Sequence, residues 1–90
     1  MELTRENGRI YALDENGDVL CEITFPDDGE KADINHTFVS DALRGQGMAG
    51  KLVKEALEQM RARGLKAAKP SCSYAAKWLE NHEGYEDILA

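Results

Sequence analysis

Three glycines crowd the start of an otherwise strongly helical, amphipathic segment, in the stretch Leu43-Arg44-Gly45-Gln46-Gly47-Met48-Ala49-Gly50-Lys51-Leu52-Val53. Glycine weakens a helix interior by roughly 0.5–1 kcal/mol relative to alanine, so a cluster of them needs a reason. Without a Cβ the backbone approaches a ligand closely, and a helix N-terminus offers unpaired N–H groups and the positive end of the macrodipole to an anion. The stretch therefore predicts a strand-to-helix junction that cradles a phosphate. Arg44, Lys51 and Lys54 make this junction locally basic, although the chain carries 11 basic and 17 acidic residues, a net charge of −6. That balance argues against general nucleic-acid or anionic-membrane binding, both of which need a basic footprint. An anion held at one spot fits better.

Ninety residues are expected to make one domain, 1–90, too small for two lobes around a cleft, so any active site is shallow or built on a sheet edge. Cys21 and Cys72 lie far apart without CxxC spacing, and Met1-Glu2-Leu3-Thr4 lacks the basic region and apolar run of a signal peptide. A reduced, cytoplasmic protein is expected. No apolar run approaches the ~20 residues of a membrane span.

In chain order, Arg9–Asp14 and Val19–Phe25 flank Glu15-Asn16-Gly17-Asp18, whose Asn-Gly predicts an antiparallel hairpin. Pro26-Asp27-Asp28-Gly29-Glu30 is a polar turn. A third strand is predicted over Ala32–Val39, with Ala32, Ile34, His36 and Phe38 on one face by alternation. A helix follows from about Gln46 to Arg63, with Met48, Leu52, Ala56 and Met60 on one stripe and Ala49, Val53 and Leu57 beside it. Arg61, Arg63 and Gly64 mark its end. Leu65–Lys69 reads as a fourth strand stopped by Pro70, which makes strand, helix and strand a βαβ unit with parallel strands. Ala75, Trp78, Leu79 and His82 recur at helical spacing in a second helix that Ser71 or Ser73 caps, and Gly84 ends it. Tyr85–Leu89 returns to the body as a short strand or tail.

Gly45-Gln46-Gly47-Met48-Ala49-Gly50 satisfies the letters of the dinucleotide motif GxGxxG, but the context fails. Several residues separate Val39 from Gly45, and Leu65 to Cys72 contains no acidic residue for a ribose. The P-loop pattern fails too, because no Gly-Lys-Ser/Thr closes the loop. A purely structural alternative is that the glycines serve close packing. Arg44-Gly45-Gln46-Gly47-Met48-Ala49 resembles the Arg/Gln-x-x-Gly-x-Gly/Ala signature of the GNAT superfamily of acyl-CoA-dependent N-acyltransferases, placed as in that family between a strand and a long helix. His36-Thr37, Pro70-Ser71-Cys72-Ser73-Tyr74, Trp78 and His82-Glu83-Gly84-Tyr85-Glu86-Asp87 extend the likeness to its small, single-domain, cysteine-containing members.

The resemblance implies a minimal α/β GNAT-like fold: a mostly antiparallel sheet of four or five strands, two helices and one βαβ crossover, splayed where the third and fourth strands meet. The likeness is to a GNAT domain stripped of its N-terminal strand and helices. It implies that acetyl-CoA, or coenzyme A, is bound by Val39, Arg44, Gly45, Gln46, Gly47, Met48, Ala49, Lys51, Ser73 and Tyr74, with the pyrophosphate on the loop. It also makes Cys72 the catalytic candidate. Position agrees, since a thiol at a helix start has its pKa lowered; the ordinary alternative is a buried Cys. His36, with an unperturbed pKa near working pH, is the candidate base for an incoming ammonium, or else a partly buried structural histidine. The general-acid Tyr common in this superfamily is absent, because aligning Gly84-Tyr85 with the family's Gly-aromatic pair puts Glu80 there; Tyr74 is the candidate substitute.

His82-Glu83 with Glu86 only loosely matches a helical metal spacing and Gly84 interrupts it, so no metal site is expected. The expected activity is transfer of a short acyl group from acetyl-CoA to an amine, either a small amine or a protein lysine. The alternatives are a non-catalytic acyl-CoA sensor or carrier, and an interaction module without a ligand.

Overall fold

Two Asn-Gly turns open the fold. The computed structural model describes residues 1–90. Strand β1 (Thr4–Glu6) turns through Asn7-Gly8 into β2 (Arg9–Leu13), which turns through Asn16-Gly17 into β3 (Val19–Thr24). Asp14 fixes the second turn by accepting the N–H groups of Asn16 and Asp18 at 2.8 and 3.0 Å. A further strand thus precedes the expected hairpin, paired antiparallel with β2 so that Arg5 lies opposite Ile10. Gln59 of the long helix anchors this first turn, accepting from the Gly8 N–H and donating to the Glu6 carbonyl.

The expected third strand is divided. Lys31–Ala32 forms β4, and His36–Val39 forms β5. Between them Asp33 N–H bonds the Pro26 carbonyl and Asn35 N–H bonds the Thr24 carbonyl, so the chain changes partners within three residues. β5 pairs antiparallel with β3, completing a sheet in the order β1-β2-β3-β5, whereas β4 pairs in parallel with β6 (Lys66–Ala67). The division also reverses the side-chain alternation. Ala32 and Ile34 are buried, but His36 and Phe38 are exposed, and Thr37 and Val39 turn inward opposite Ile23 and Cys21. The expectation that Ala32, Ile34, His36 and Phe38 share one face is therefore corrected.

Helix α1 (Met48–Arg63) crosses from β5 to β6 and buries Met48, Leu52, Val53, Ala56, Leu57 and Met60 against the sheet. Each large side chain removed from water contributes about 1.5–3 kcal/mol. The helix starts two residues later than the sequence predicts, because Gly47 at φ +69° is not helical. β6 is shorter than the predicted Leu65–Lys69. Helix α2 (Ser73–Glu80) then packs Ala75 into the core, with Trp78 and Leu79 half-buried rather than fully interior. The tail returns to lie beside β6 through a parallel bridge between Ala67 and Leu89. It is fastened by Arg61, which grips both carboxylate oxygens of Asp87 at 2.8 and 2.9 Å and the Gly84 carbonyl at 2.8 Å. The architecture is thus α/β, with a mostly antiparallel sheet, two helices and one crossover between parallel strands. No helix is long and apolar enough to cross a membrane.

Candidate functional site

The junction between β5 and α1 runs through a short 3₁₀ turn at Asp41–Leu43 and a tight turn over Arg44 to Gly47. Gly45 and Gly47 hold φ of +80° and +69°, and no atom stands within 4 Å of where a Cβ would project from either. Both glycines line a hollow of about 250 Å³ walled by Val39, Leu43, Met48 and Tyr74. The N–H groups of Met48, Ala49 and Gly50 have no backbone partner, Gly47 supplies no side-chain cap, and no acidic residue lies in the first turn. Free N–H donors thus converge on a concavity at the positive end of a sixteen-residue helix, which is what a doubly charged diphosphate requires. Arg44 lines the hollow but turns its guanidinium to Asp41 at 2.7 Å, so the attraction comes from the backbone.

Gly50 differs from the other two. It is helical, and a Cβ there would stand 3.0 Å from Trp78 Nε1 and 3.6 Å from the Tyr74 hydroxyl. The glycines therefore divide: Gly45 and Gly47 leave room for a ligand, while Gly50 lets α2 approach α1. The packing alternative holds for one of the three.

The second part of the site lies where the two sheets diverge. Asp33, in the break between β4 and β5, accepts the Ser71 N–H at 2.7 Å and the Ser71 hydroxyl on its other oxygen. Cys72 N–H bonds the Ile34 carbonyl at 3.0 Å. These contacts fix Cys72 at the N-cap position of α2. Neither serine caps that helix, since the Ser71 hydroxyl is engaged by Asp33 and Ser73 lies exposed beyond the cap. Cys72 Sγ sits 3.4 Å from Thr37 Oγ1, across the gap between the sheets. Burial pushes this thiol up, but the hydrogen bond with Thr37 and the backbone N–H groups of Ala75, Tyr74 and Thr37 outweigh it, leaving the thiol below its ordinary range. Cys21, fully buried, is pushed up by burial.

The hollow and the thiol draw on the same two elements, β5 and the start of α2. Val39 and Thr37 are two residues apart on the inward face of β5, and Tyr74 and Cys72 are two residues apart on the opposite wall. Two strand residues span about 7 Å, the spacing along β5 between Val39, in the wall of the hollow, and Thr37, which contacts the thiol. His36 is not brought to this place. Its outward position puts Nε2 3.6 Å from Glu22 Oε1, on the far face of the sheet from Cys72. Gln46 and Ser73 do not line the hollow, and Lys51 lines a neighbouring groove. Thr37, which the sequence reading did not assign a role, touches the thiol, and Gly50 lines the hollow while also meeting Trp78. Trp78 stacks on His82 with centroids 3.7 Å apart, and His82 Nδ1 lies 2.7 Å from the Trp78 carbonyl, which draws this histidine to the helix end rather than to Glu83 or Glu86.

Cys72 alone is therefore expected to react with iodoacetamide, with a rate midpoint below that of an ordinary thiol. The sign follows from the lowered pKa, which gives more thiolate at a given pH. Intact mass against pH checks it; a second adduct at Cys21, or a midpoint above that of free cysteine, would contradict it.

Over residues 9–88 the chain matches a family model described as GCN5-related N-acetyl-transferase. It is similar to the solution structure of a GCN5-like N-acetyltransferase candidate from Staphylococcus aureus, with 36% identity and a TM-score of 0.76 over 99% of this chain and 87% of that one. It shares its fold with Ard1 from Thermoplasma volcanium, at 15% identity and TM-score 0.59, covering 82% of this chain and 53% of that one. A ribosomal-protein-alanine N-acetyltransferase from Brucella melitensis biovar Abortus 2308 is similar in fold at 19% identity and TM-score 0.58, with coverage of 91% and 59%. Among curated proteins no match is found.

Proposed function

The chain belongs to the GCN5-related N-acetyltransferase family, and from that premise we propose that it moves a short acyl group from coenzyme A to an amine, with Cys72 as the acyl-accepting nucleophile. One observation carries the reading: β5 sets Val39 in the wall of a glycine-lined hollow and, two residues along the same face, Thr37 against a thiol of lowered pKa. The family generally draws its acyl group from acetyl-CoA, and the residues here fit such a donor. Two Cβ-free positions leave the volume, and three unpartnered N–H groups supply the donors.

Bound coenzyme A supplies an activated thioester. The N–H groups of Met48, Ala49 and Gly50 would hold its diphosphate, and Val39 and Tyr74 would wall the path toward Cys72. Thr37 donates to the Cys72 thiolate and keeps it aimed across the gap. Cys72 Sγ bonds the acyl carbon and the old carbon–sulfur bond breaks, its electron pair leaving on the coenzyme sulfur. A neutral amine then bonds the acyl carbon, Cys72 leaves as thiolate, and the amine proton passes to solvent. His36, on the far face, has no part in these steps.

Incubation with acetyl-CoA should raise the melting temperature, add one acetyl group to the intact mass and consume one free thiol. Absence of both stabilisation and mass gain would sink the proposal. Stabilisation without transfer to any of a panel of amines and lysine peptides would instead favour an acyl-CoA carrier or sensor, which the missing Tyr acid also favours.

A further inference from the structure

An amine attacks a thioester through its lone pair, which an ammonium lacks, so the groups around Cys72 that could remove a proton decide which amines react. The chain has two histidines, the side chains best suited to that task near neutrality, and the fold sends both away from the thiol. His36 lies on the far face of the sheet beside Glu22, and Glu22 itself is held there by Arg9. His82 follows the other end of α2, stacked on Trp78 with Nδ1 at the Trp78 carbonyl. Of the remaining carboxylates, Asp33 accepts from Ser71 with both oxygens, and Glu80 ends α2 about 12 Å along the axis from Cys72. The cations bring no base either. Arg44 is paired with Asp41, Lys51 lines the groove beyond the cradle, Lys69 lines a hollow on the β6 side, and Lys77 is exposed on α2. Tyr74 carries its hydroxyl toward α1, 3.6 Å from where a Cβ would project from Gly50, and Thr37 is engaged with Sγ itself.

Cys72 is half-buried and flanked in the chain by Ser71 and Ser73, both exposed, so an acceptor reaching it gives its proton to water. The reactive acceptor is then the fraction already neutral in solution. At pH 7 that is about 14% of an α-amine of pKa about 7.8 and about 0.04% of a lysine ε-amine of pKa about 10.4, a ratio of roughly 300. A more basic amine attacks faster once neutral, and a Brønsted slope of about 0.4–0.5, as for thiols, returns about fifteenfold to lysine. A margin of about twentyfold remains.

We infer that the acceptor is an amine of low basicity, the α-amino group of a peptide or an amino acid, and that lysine side chains are discriminated against by their protonation rather than by their shape. The inference rests on the acyl-transfer reading above and supplies the acceptor class that it leaves open. The α-nitrogen bonds the acyl carbon, the carbon–sulfur bond breaks with its electron pair on Cys72 Sγ, and the N–H proton goes to water.

Transfer from acetyl-CoA is followed by acceptor mass, between about pH 6.5 and 9.5, to a lysine-free peptide with a free N-terminus, to alanine amide, and to an N-terminally blocked peptide with one lysine. At pH 7 the better of the two α-amines should react about twentyfold faster than the lysine peptide, and which of them is better tells a peptide end from a free amino acid. The rate on an α-amine should level off near about pH 8, whereas that on lysine should climb about tenfold per pH unit throughout. His36→Asn, with folding checked by thermal unfolding, should leave these profiles unmoved. Equal rates on lysine and α-amine at pH 7, a lysine profile that flattens within the range, or transfer lost in folded His36→Asn would each overturn the inference and leave acyl transfer standing. Acylated Cys72 that no amine discharges would overturn it as well. Absence of both acylation and transfer would remove the acyl-transfer reading, and this inference with it.

Discussion

Replacing Gly47 with valine is expected to weaken acetyl-CoA binding by about a hundredfold or more while the chain remains folded. Gly47 holds φ +69° immediately before α1, and the position where its Cβ would stand is open space. A β-branched side chain there incurs backbone strain of about 1–3 kcal/mol, which a protein with about 5–15 kcal/mol of stability survives. The larger loss is expected at the ligand, because Gly47 lines the same hollow as Met48 and Ala49 and a branched side chain there would crowd it. Gly50→Val separates this effect from packing. Its side chain presses on Trp78 instead, where a Cβ already meets Nε1 at 3.0 Å, so stability should fall without a matching block of the cradle. Calorimetry with acetyl-CoA and thermal unfolding by circular dichroism read the two effects apart. Affinity retained in Gly47→Val would remove the cradle from the site.

Cys72→Ala should abolish the acyl-protein adduct and reduce acyl transfer by roughly a hundredfold or more, the scale on which covalent nucleophiles contribute. Thr37→Val should act through the same atom with smaller effect. It removes the hydroxyl 3.4 Å from Cys72 Sγ but keeps the shape, so the thiolate fraction at neutral pH should fall. The midpoint of the alkylation profile should rise correspondingly, and Thr37→Ser should restore it. A profile unmoved in Thr37→Val would make that contact structural. Transfer unimpaired in Cys72→Ala would leave direct attack of the amine on the coenzyme thioester as the surviving route.

The glycine cluster, the hairpin around Asn16-Gly17, the long helix and the parallel crossover were all legible in the sequence because each rests on local chemistry: turn dipeptides, a 3.6-residue apolar stripe, a glycine at a helix end. The family followed from the same glycines read together with Cys72. Three features were not legible. Asn7-Gly8 carries the same turn signal as Asn16-Gly17, but β1 is only three exposed residues and shows no alternation to reveal it. The division of Ala32–Val39 depends on partners remote in sequence, Ser71 for Asp33 and Pro26 for its N–H, and that division decides which way His36 points. Alternation carried unbroken through Asn35 put His36 inward and Thr37 outward, whereas the structure places Thr37 beside the thiol. Gly50 belonged to the phosphate motif by its letters, and only the approach of Trp78 shows its other task.

The parallel pairing of β4 with β6 has a consequence for the order in which this protein comes apart. The antiparallel strands β1, β2 and β3 join neighbours through short turns, whereas β4 and β6 meet only after β5 and α1 have been placed between them. Contacts that close long loops form late and contribute little until the rest is in place. Their pairing is also only two residues long. In native-state hydrogen exchange, the amides of Lys66 and Ala68, bonded across to Glu30 and Ala32, should open at lower free energy than those of β2 and β3. Equal protection in both regions would show a single cooperative unit. Cys72 follows β6 and its N–H is held by the Ile34 carbonyl just past β4, so opening of this seam would loosen the anchor of the thiol while the antiparallel sheet stays closed.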